Sequence, residues 1–236
     1  MNWSLEQIDE YIEALLINAE QLIRESQLLL NSEAYARSFT LSHLAREELA
    51  KISMLEAAGT RLLAGQNVDF KTLRKRLSDH KAKLRGESAQ ALIIAAGIGH
   101  AKLTETLKQY SGQIVDHRNN NKNDSIYVGI KDGAISKPSE LFSKHKAERT
   151  LKLARYALVN HTTIRFKLGP YSNRPPIKIP DIDPATFDLS KLDLAAVGRL
   201  LLAAMTTTGN DATEEVEGAQ APNEASVATS STDTPH

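Results

Sequence analysis

Apolar residues recur at three- and four-residue spacing along most of the chain as far as about residue 163. Leu5, Ile8, Ile12, Leu15, Leu16, Ala19, Leu22 and Ile23 fall on one side of a helix, which predicts a long helix over 5–30. Ser4, with Gln7 three residues on, has the spacing of a capping box at its start. Asn31-Ser32 interrupts the pattern, and a second helix is expected over 33–58 with Leu41, Leu44, Ala45, Ile52 and Leu55 as its stripe. Residues 60–86 are less regular, with a short helix expected after Asn67-Val68-Asp69 that carries the basic run KTLRKRLSDHKAKLR. Ile93, Ala96, His100, Leu103, Leu107, Tyr110 and Ile114 predict a third long helix over 87–115. The stretch DHRNNNKND (116–124) offers no apolar position and is expected to be a loop. Ile126 to Ile130 is expected to be a short extended piece, turning at Lys131-Asp132-Gly133. A last helix of the bundle, starting near Pro138 or Ser139, carries Leu141, Ala147, Leu151, Ala154 and Leu158.

The result is an all-α bundle of four main helices over 1–165, with an interruption before the last one. LGPYSNRPPIKIPDIDPATF is too rich in proline to be helical throughout, so 166–203 is expected to be an extended strap followed by a short helix. Residues 204–236 hold Thr, Ser, Ala, Gly and acid with little to bury, and are expected to be a disordered acidic tail.

Charge sharpens that division. Formal net charge is zero, from 29 basic and 29 acidic residues. Six acids and no Lys or Arg lie in 200–236, which leaves 29 basic against 23 acidic residues in 1–199. A mildly basic body with an acidic tail is compatible with binding nucleic acid. Cysteine is absent, which excludes disulfides and thiolate metal sites. The N-terminal MNWSLEQIDEYIEALL is acidic and amphipathic, unlike a signal peptide, and no apolar run reaches membrane-spanning length. A cytoplasmic protein without membrane partners is the expectation.

One carboxylate breaks the apolar pattern. At about 100° per residue, Glu48 falls about 20° from Leu41 and Leu55, in the middle of the second helix's stripe, whereas Glu47 points about 100° away. A carboxylate buried there needs a cation, with Arg118 the first candidate and Lys51 the second. His100 shares a face with Ala96, Leu103 and Leu107 and is expected to be a hydrogen-bonded core residue.

Four blocks in order carry a family resemblance: NAEQLIRESQLLLNSEAYARSFTLSHLAREELAKISMLEAA (18–58), LSDHKAKL (77–84), SIYVGIKDGAISKPSE (125–140) and RTLKLARYAL (149–158). Together they resemble the AbiV-type abortive infection proteins of the HEPN superfamily. The resemblance implies a HEPN-like four- to five-helix bundle and a role in defence against bacteriophage. Many HEPN domains are metal-independent ribonucleases that pair two Arg-polar-His motifs across a dimer cleft. The chemistry accounts for those residues. RNA supplies its own nucleophile, the 2′-hydroxyl, and needs a base, an acid and a cation for the phosphorane. Arginine fits phosphate oxygens, and histidine handles protons near neutral pH.

Arg118-Asn119 matches the start of that motif, but no histidine follows within six residues. The candidate catalytic set is therefore Arg118 and Asn119 on the phosphate, Tyr127 or His117 in the missing histidine's place, and Glu48 holding Arg118. Lys51, His80, Lys81 and Lys83 are the candidate RNA-binding residues. No metal site and no cofactor are expected. The expected partners are a second copy of the chain, RNA and a phage-encoded activator. The alternative is a non-catalytic helical module that dimerises and binds a phage or cellular protein.

Overall fold

Two long antiparallel helices form the spine of the bundle in a computed structural model, which describes residues 2–178 and 193–199. Helix α1 (Leu5–Asn31) begins with the capping box, Ser4 and Gln7 each accepting a hydrogen bond from the other's backbone N–H. Helix α2 (Tyr35–Leu63) returns along it. Ile8, Ile12, Leu15, Ala19 and Ile23 of α1 pack with Ala45, Leu49, Ile52 and Leu55 of α2 in one core. Where α1 and α2 draw near their connecting turn, the buried Ser26 donates to the Ser38 carbonyl at 2.8 Å, so two small residues let the backbones approach.

Two short steps lead from α2 to the next long helices. Helix α3 (Phe70–Ser78) is capped by Asp69, which accepts from the Thr72 N–H, and buries Phe70, Leu73 and Leu77. Asp79 ends α3 and caps α4 (His80–Gly97), which places His80 at the first turn of α4. Gly99, at φ +73°, turns the chain into α5 (Ala101–Asp124). The expected single helix over 87–115 is thus two helices. His100, expected in the core, is exposed at the break and caps α5 by accepting from the Leu103 N–H at 3.2 Å.

The expected loop over 116–124 is instead the last part of α5. Strands β1 (Gly129–Lys131) and β2 (Ala134–Ser136) then pair antiparallel, Ile130 opposite Ile135. Asp132 and Gly133 both have positive φ, as a two-residue hairpin turn requires. Pro138 opens the single turn α6 (Pro138–Leu141), Ser143 caps α7 (Lys144–Leu168), and Phe142 between them is buried beside Phe39 and Ala36.

Helix α7 packs on α1 and α2 through Leu151 and Ala154. The strap after it is pinned by Asp9 of α1, which accepts from Arg165 Nη1 (2.6 Å) and from the N–H groups of Tyr171 and Ser172 (2.8 and 2.9 Å). Tyr171 lies in a single 3-10 turn (Tyr171–Asn173) and stacks against Gly59, where a Cβ would come within 2.8 Å of the ring. The short helix expected at the end of the strap is present at 194–199, while the expected disordered tail, 204–236, lies outside the described residues.

Candidate active site

Three helices each present a polar stripe at helical spacing, and the stripes converge. Helix α2 contributes His43, Arg46 and Glu47, α4 contributes His80, Lys83 and Glu87, and α5 contributes Arg118 and Lys122. The inward face of α5 is Arg118, Asn121, Lys122 and Ser125, the i, i+3, i+4, i+7 pattern of an amphipathic helix written in polar letters. Each of the four has a partner on another helix. Arg118 binds Glu87 of α4, Lys122 reaches Glu47 of α2, and the Ser125 and Thr40 hydroxyls share a hydrogen bond at 2.8 Å. Lys146 of α7 donates to Asn121 Oδ1 at 2.9 Å. The polar run forms a helix because the groups it buries are satisfied by others.

Glu47 is the centre of the first half of this cluster, with 3% of its side chain exposed. Lys83 Nζ lies 3.0 Å from Oε2 and Lys122 Nζ 3.5 Å from Oε1. His80 Nδ1 is 2.6 Å from Oε2. Burial alone would raise the Glu47 pKa, but the His43 ring beside it, the Lys83 hydrogen bond and charge and the bond from His80 outweigh it and hold the carboxyl well below its ordinary range. His43 Nε2 approaches Oε1 at 3.3 Å but off the line of a good hydrogen bond, and burial lowers its pKa, so it is neutral. Lys122 Nζ is also 3.2 Å from His80 Nδ1. An ionised carboxylate can only accept, so the 2.6 Å contact assigns the Nδ1 proton to the bond with Glu47, and Lys122 sits beside that bond rather than donating to the ring.

Glu87 is the centre of the second half. Arg46 donates to Oε1 through Nε (2.7 Å) and Nη2, and Arg118 Nη2 donates to Oε2. Burial raises the Glu87 pKa, and the Arg46 and Arg118 charges reverse this and bring it down. Four cations, Arg46, Lys83, Arg118 and Lys122, thus surround two carboxylates. Two positive charges are left over, with Arg149 near enough to Arg46 to add to the field. An excess of positive charge at a water-poor junction is suited to a polyanion. The cluster opens to solvent at His80, whose side chain is 51% exposed.

This arrangement corrects the expected pairing of Glu48 with Arg118. Glu48 keeps 21% of its side chain exposed and binds Lys51 Nζ at 2.6 Å and Asn18 of α1 at 3.0 Å. Arg118 belongs to Glu87. The reason is that α2 is covered on two sides. Its Leu stripe faces α1, and the side about 100° away, which carries Glu47, faces α4 and α5. Of the expected RNA-binding residues, His80 and Lys83 lie in the cluster, Lys81 pairs with Asp116 at the surface (3.0 Å), and Lys51 is held by Glu48. His117 is exposed on α5, and Tyr127 is 66% exposed beside the hairpin. Neither makes a described hydrogen bond through its side chain to the cluster. Asn119 lies in α5, and its side chain is outside the described residues. Sequence reasoning passed over Glu47, Arg46, His43, Glu87 and Lys122. Their one trace in the sequence is polar residues at i, i+3, i+4 and i+7, a spacing that a solvated helix face shares.

The AbiV family model matches residues 7–158. The chain belongs to the AbiV family of HEPN proteins. The match runs from the first turn of α1 into α7, so every residue of the cluster lies within the AbiV domain. No curated protein and no solved structure matches the chain. Among the described residues no helix is long and apolar enough to cross a membrane.

Proposed function

We propose that this AbiV-family protein acts in abortive infection as a metal-independent endoribonuclease that shuts down translation in the infected cell. The observation that carries the reading is the uncompensated positive charge of the α2–α4–α5 cluster, with arginines and lysines held in place by Glu47 and Glu87. Such a site meets the needs of RNA cleavage. It attracts the phosphate, and it has fixed cations ready for charge that develops on the phosphorane. Arg118 provides that charge from α5, oriented by Glu87. Lys83 and Lys122 beside Glu47 discourage a metal there and make one unnecessary for charge neutralisation.

The functional unit on this reading is a homodimer. A groove of about 240 Å³ runs from Arg46 and Glu87 along Ala91, Ile98 and Leu103 to Leu153 and Tyr156 of α7. A second copy seated there brings its own cluster near the first. The hairpin, with Ile130 and Ile135 both exposed, offers a separate surface to a phage-encoded activator.

One observation favours a non-catalytic binding module instead: Arg118 is engaged with Glu87 and no histidine follows it on α5. Purified protein incubated with total RNA in EDTA separates the two. Cleavage by wild type that falls at least about 100-fold in Arg118→Ala is the outcome expected of the enzyme. Intact RNA with wild type would leave only the binding module.

A further inference from the structure

The missing histidine need not follow Arg118 in sequence if another helix delivers one to the same place. We infer that His80 is the general base of this site, with Glu47 as its positioning residue; the inference rests on the ribonuclease reading above.

Three observations carry it. The Nδ1–H of His80 is committed to Glu47 at 2.6 Å, which fixes the tautomer and leaves the lone pair on Nε2. Among the described residues no hydrogen bond occupies Nε2, and the ring is half exposed at the mouth of the cluster. Glu47 stays ionised, because its own neighbours hold it so, and it therefore stabilises the imidazolium that forms when Nε2 takes a proton. The other two histidines near the site lack this combination. His43 is buried and neutral with no outlet, and His117 has no described orienting partner.

The step balances without a co-reactant. His80 Nε2 takes the proton of a ribose 2′-hydroxyl, and the 2′-oxygen attacks the adjacent phosphorus. The bond from phosphorus to the 5′-oxygen breaks, that oxygen takes a proton from solvent at the open mouth, and a 2′,3′-cyclic phosphate remains. Lys122 Nζ lies 3.2 Å from the ring, Lys83 shares Glu47 Oε2 with it, and Arg118 is one turn along α5 from Lys122. The substrate class follows: single-stranded RNA, whose 2′-hydroxyl can align with its own phosphate, and not DNA.

The test uses the full chain and a fluorescent single-stranded RNA. His80→Ala should lose at least about 100-fold in cleavage rate, with binding of a 2′-O-methyl copy of the same RNA unchanged. Added imidazole should restore part of the rate in His80→Ala and none in Arg118→Ala. His80→Asn, which can still donate to Glu47, should melt as wild type does and remain inactive. Full cleavage by His80→Ala beside an inactive Arg118→Ala would overturn the assignment and leave the ribonuclease reading standing. A loss without imidazole rescue, matched by an equal loss of RNA binding, would make His80 a binding residue and also overturn it. Intact RNA with wild type would remove both readings together.

Discussion

Glu47 is buried among cations from two other helices, and removing it would strand them. Glu47→Ala should cost about 3–5 kcal/mol, because Lys83 and Lys122 would stay buried without a counter-charge; urea denaturation at pH 7 measures it. The pH dependence has a definite sign. Its folded pKa lies below the ordinary 4.5, so the stabilisation is complete above about pH 5 and fades as the pH falls below 4.5. Glu47→Gln should therefore be less stable than wild type at pH 7, with the gap narrowing in acid. His161 of α7 behaves differently. It is buried, its Nδ1 has no partner, and burial depresses its pKa from 6.5 to about 4. Between those values the unfolded chain binds a proton that the native protein refuses, so stability falls as the pH drops from 6.5 towards 4. Going from pH 7 to pH 5 should cost wild type about 2 kcal/mol more than it costs His161→Leu. An equal pH response in the two would show that His161 is not the group responsible. The buried His43 also has a lowered pKa and acts in the same direction, which is why the difference between variants is the useful quantity.

Elements were legible wherever burial is apolar. The Leu and Ile spacing of α1 and α2 placed both helices, and the capping box fixed where α1 starts. The turn at Asp132-Gly133 was legible, but the second strand of the hairpin that follows it was not. Apolar periodicity failed at α5, which turns Arg118, Asn121, Lys122 and the capping Ser125 towards partners that lie 25 to 85 residues away in sequence. For the same reason the site was only half read. Arg118, His80 and Lys83 were singled out by type, but the two carboxylates that organise them were not, since only the fold says which side of α2 meets α4 and α5. The break at Gly99 was equally hidden, because apolar residues continue on both sides of it. Close approach gives a test at this scale. Gly59 of α2 faces the Tyr171 ring, with Arg174 stacked on that ring at 3.9 Å. Gly59→Ala should displace the strap and cost about 1–3 kcal/mol by overpacking. The same change at Gly86, where a Cβ would lie 3.9 Å from Met54, should be neutral or slightly stabilising through helix propensity. Comparing their melting temperatures checks both.

Among the described residues, α7 carries an apolar face that no other helix covers. Leu153, Tyr156 and Val159 of α7 are exposed, and Ile98 and Leu103 at the α4–α5 junction extend the patch. These residues adjoin Arg46 and Glu87 along the groove, so whatever covers the patch lies beside the cationic cluster. On the homodimer proposed above, a second copy of the chain would occupy it. That copy would bury the same apolar residues on both sides of a two-fold axis and bring two sets of excess positive charge along one strand of RNA. A stable dimer of ordinary size would hide about 800 Å² on each protomer. Leu153→Glu with Tyr156→Glu should therefore give a monomer by size-exclusion chromatography with light scattering. The exposed positions should keep the melting temperature of each protomer close to that of a dissociated wild type, while RNA cleavage falls with dimer content. Wild type that runs as a monomer throughout the micromolar range would rule the dimer out. A double variant that stays dimeric would mean that the pairing uses another face, and that the cluster does its work within one chain.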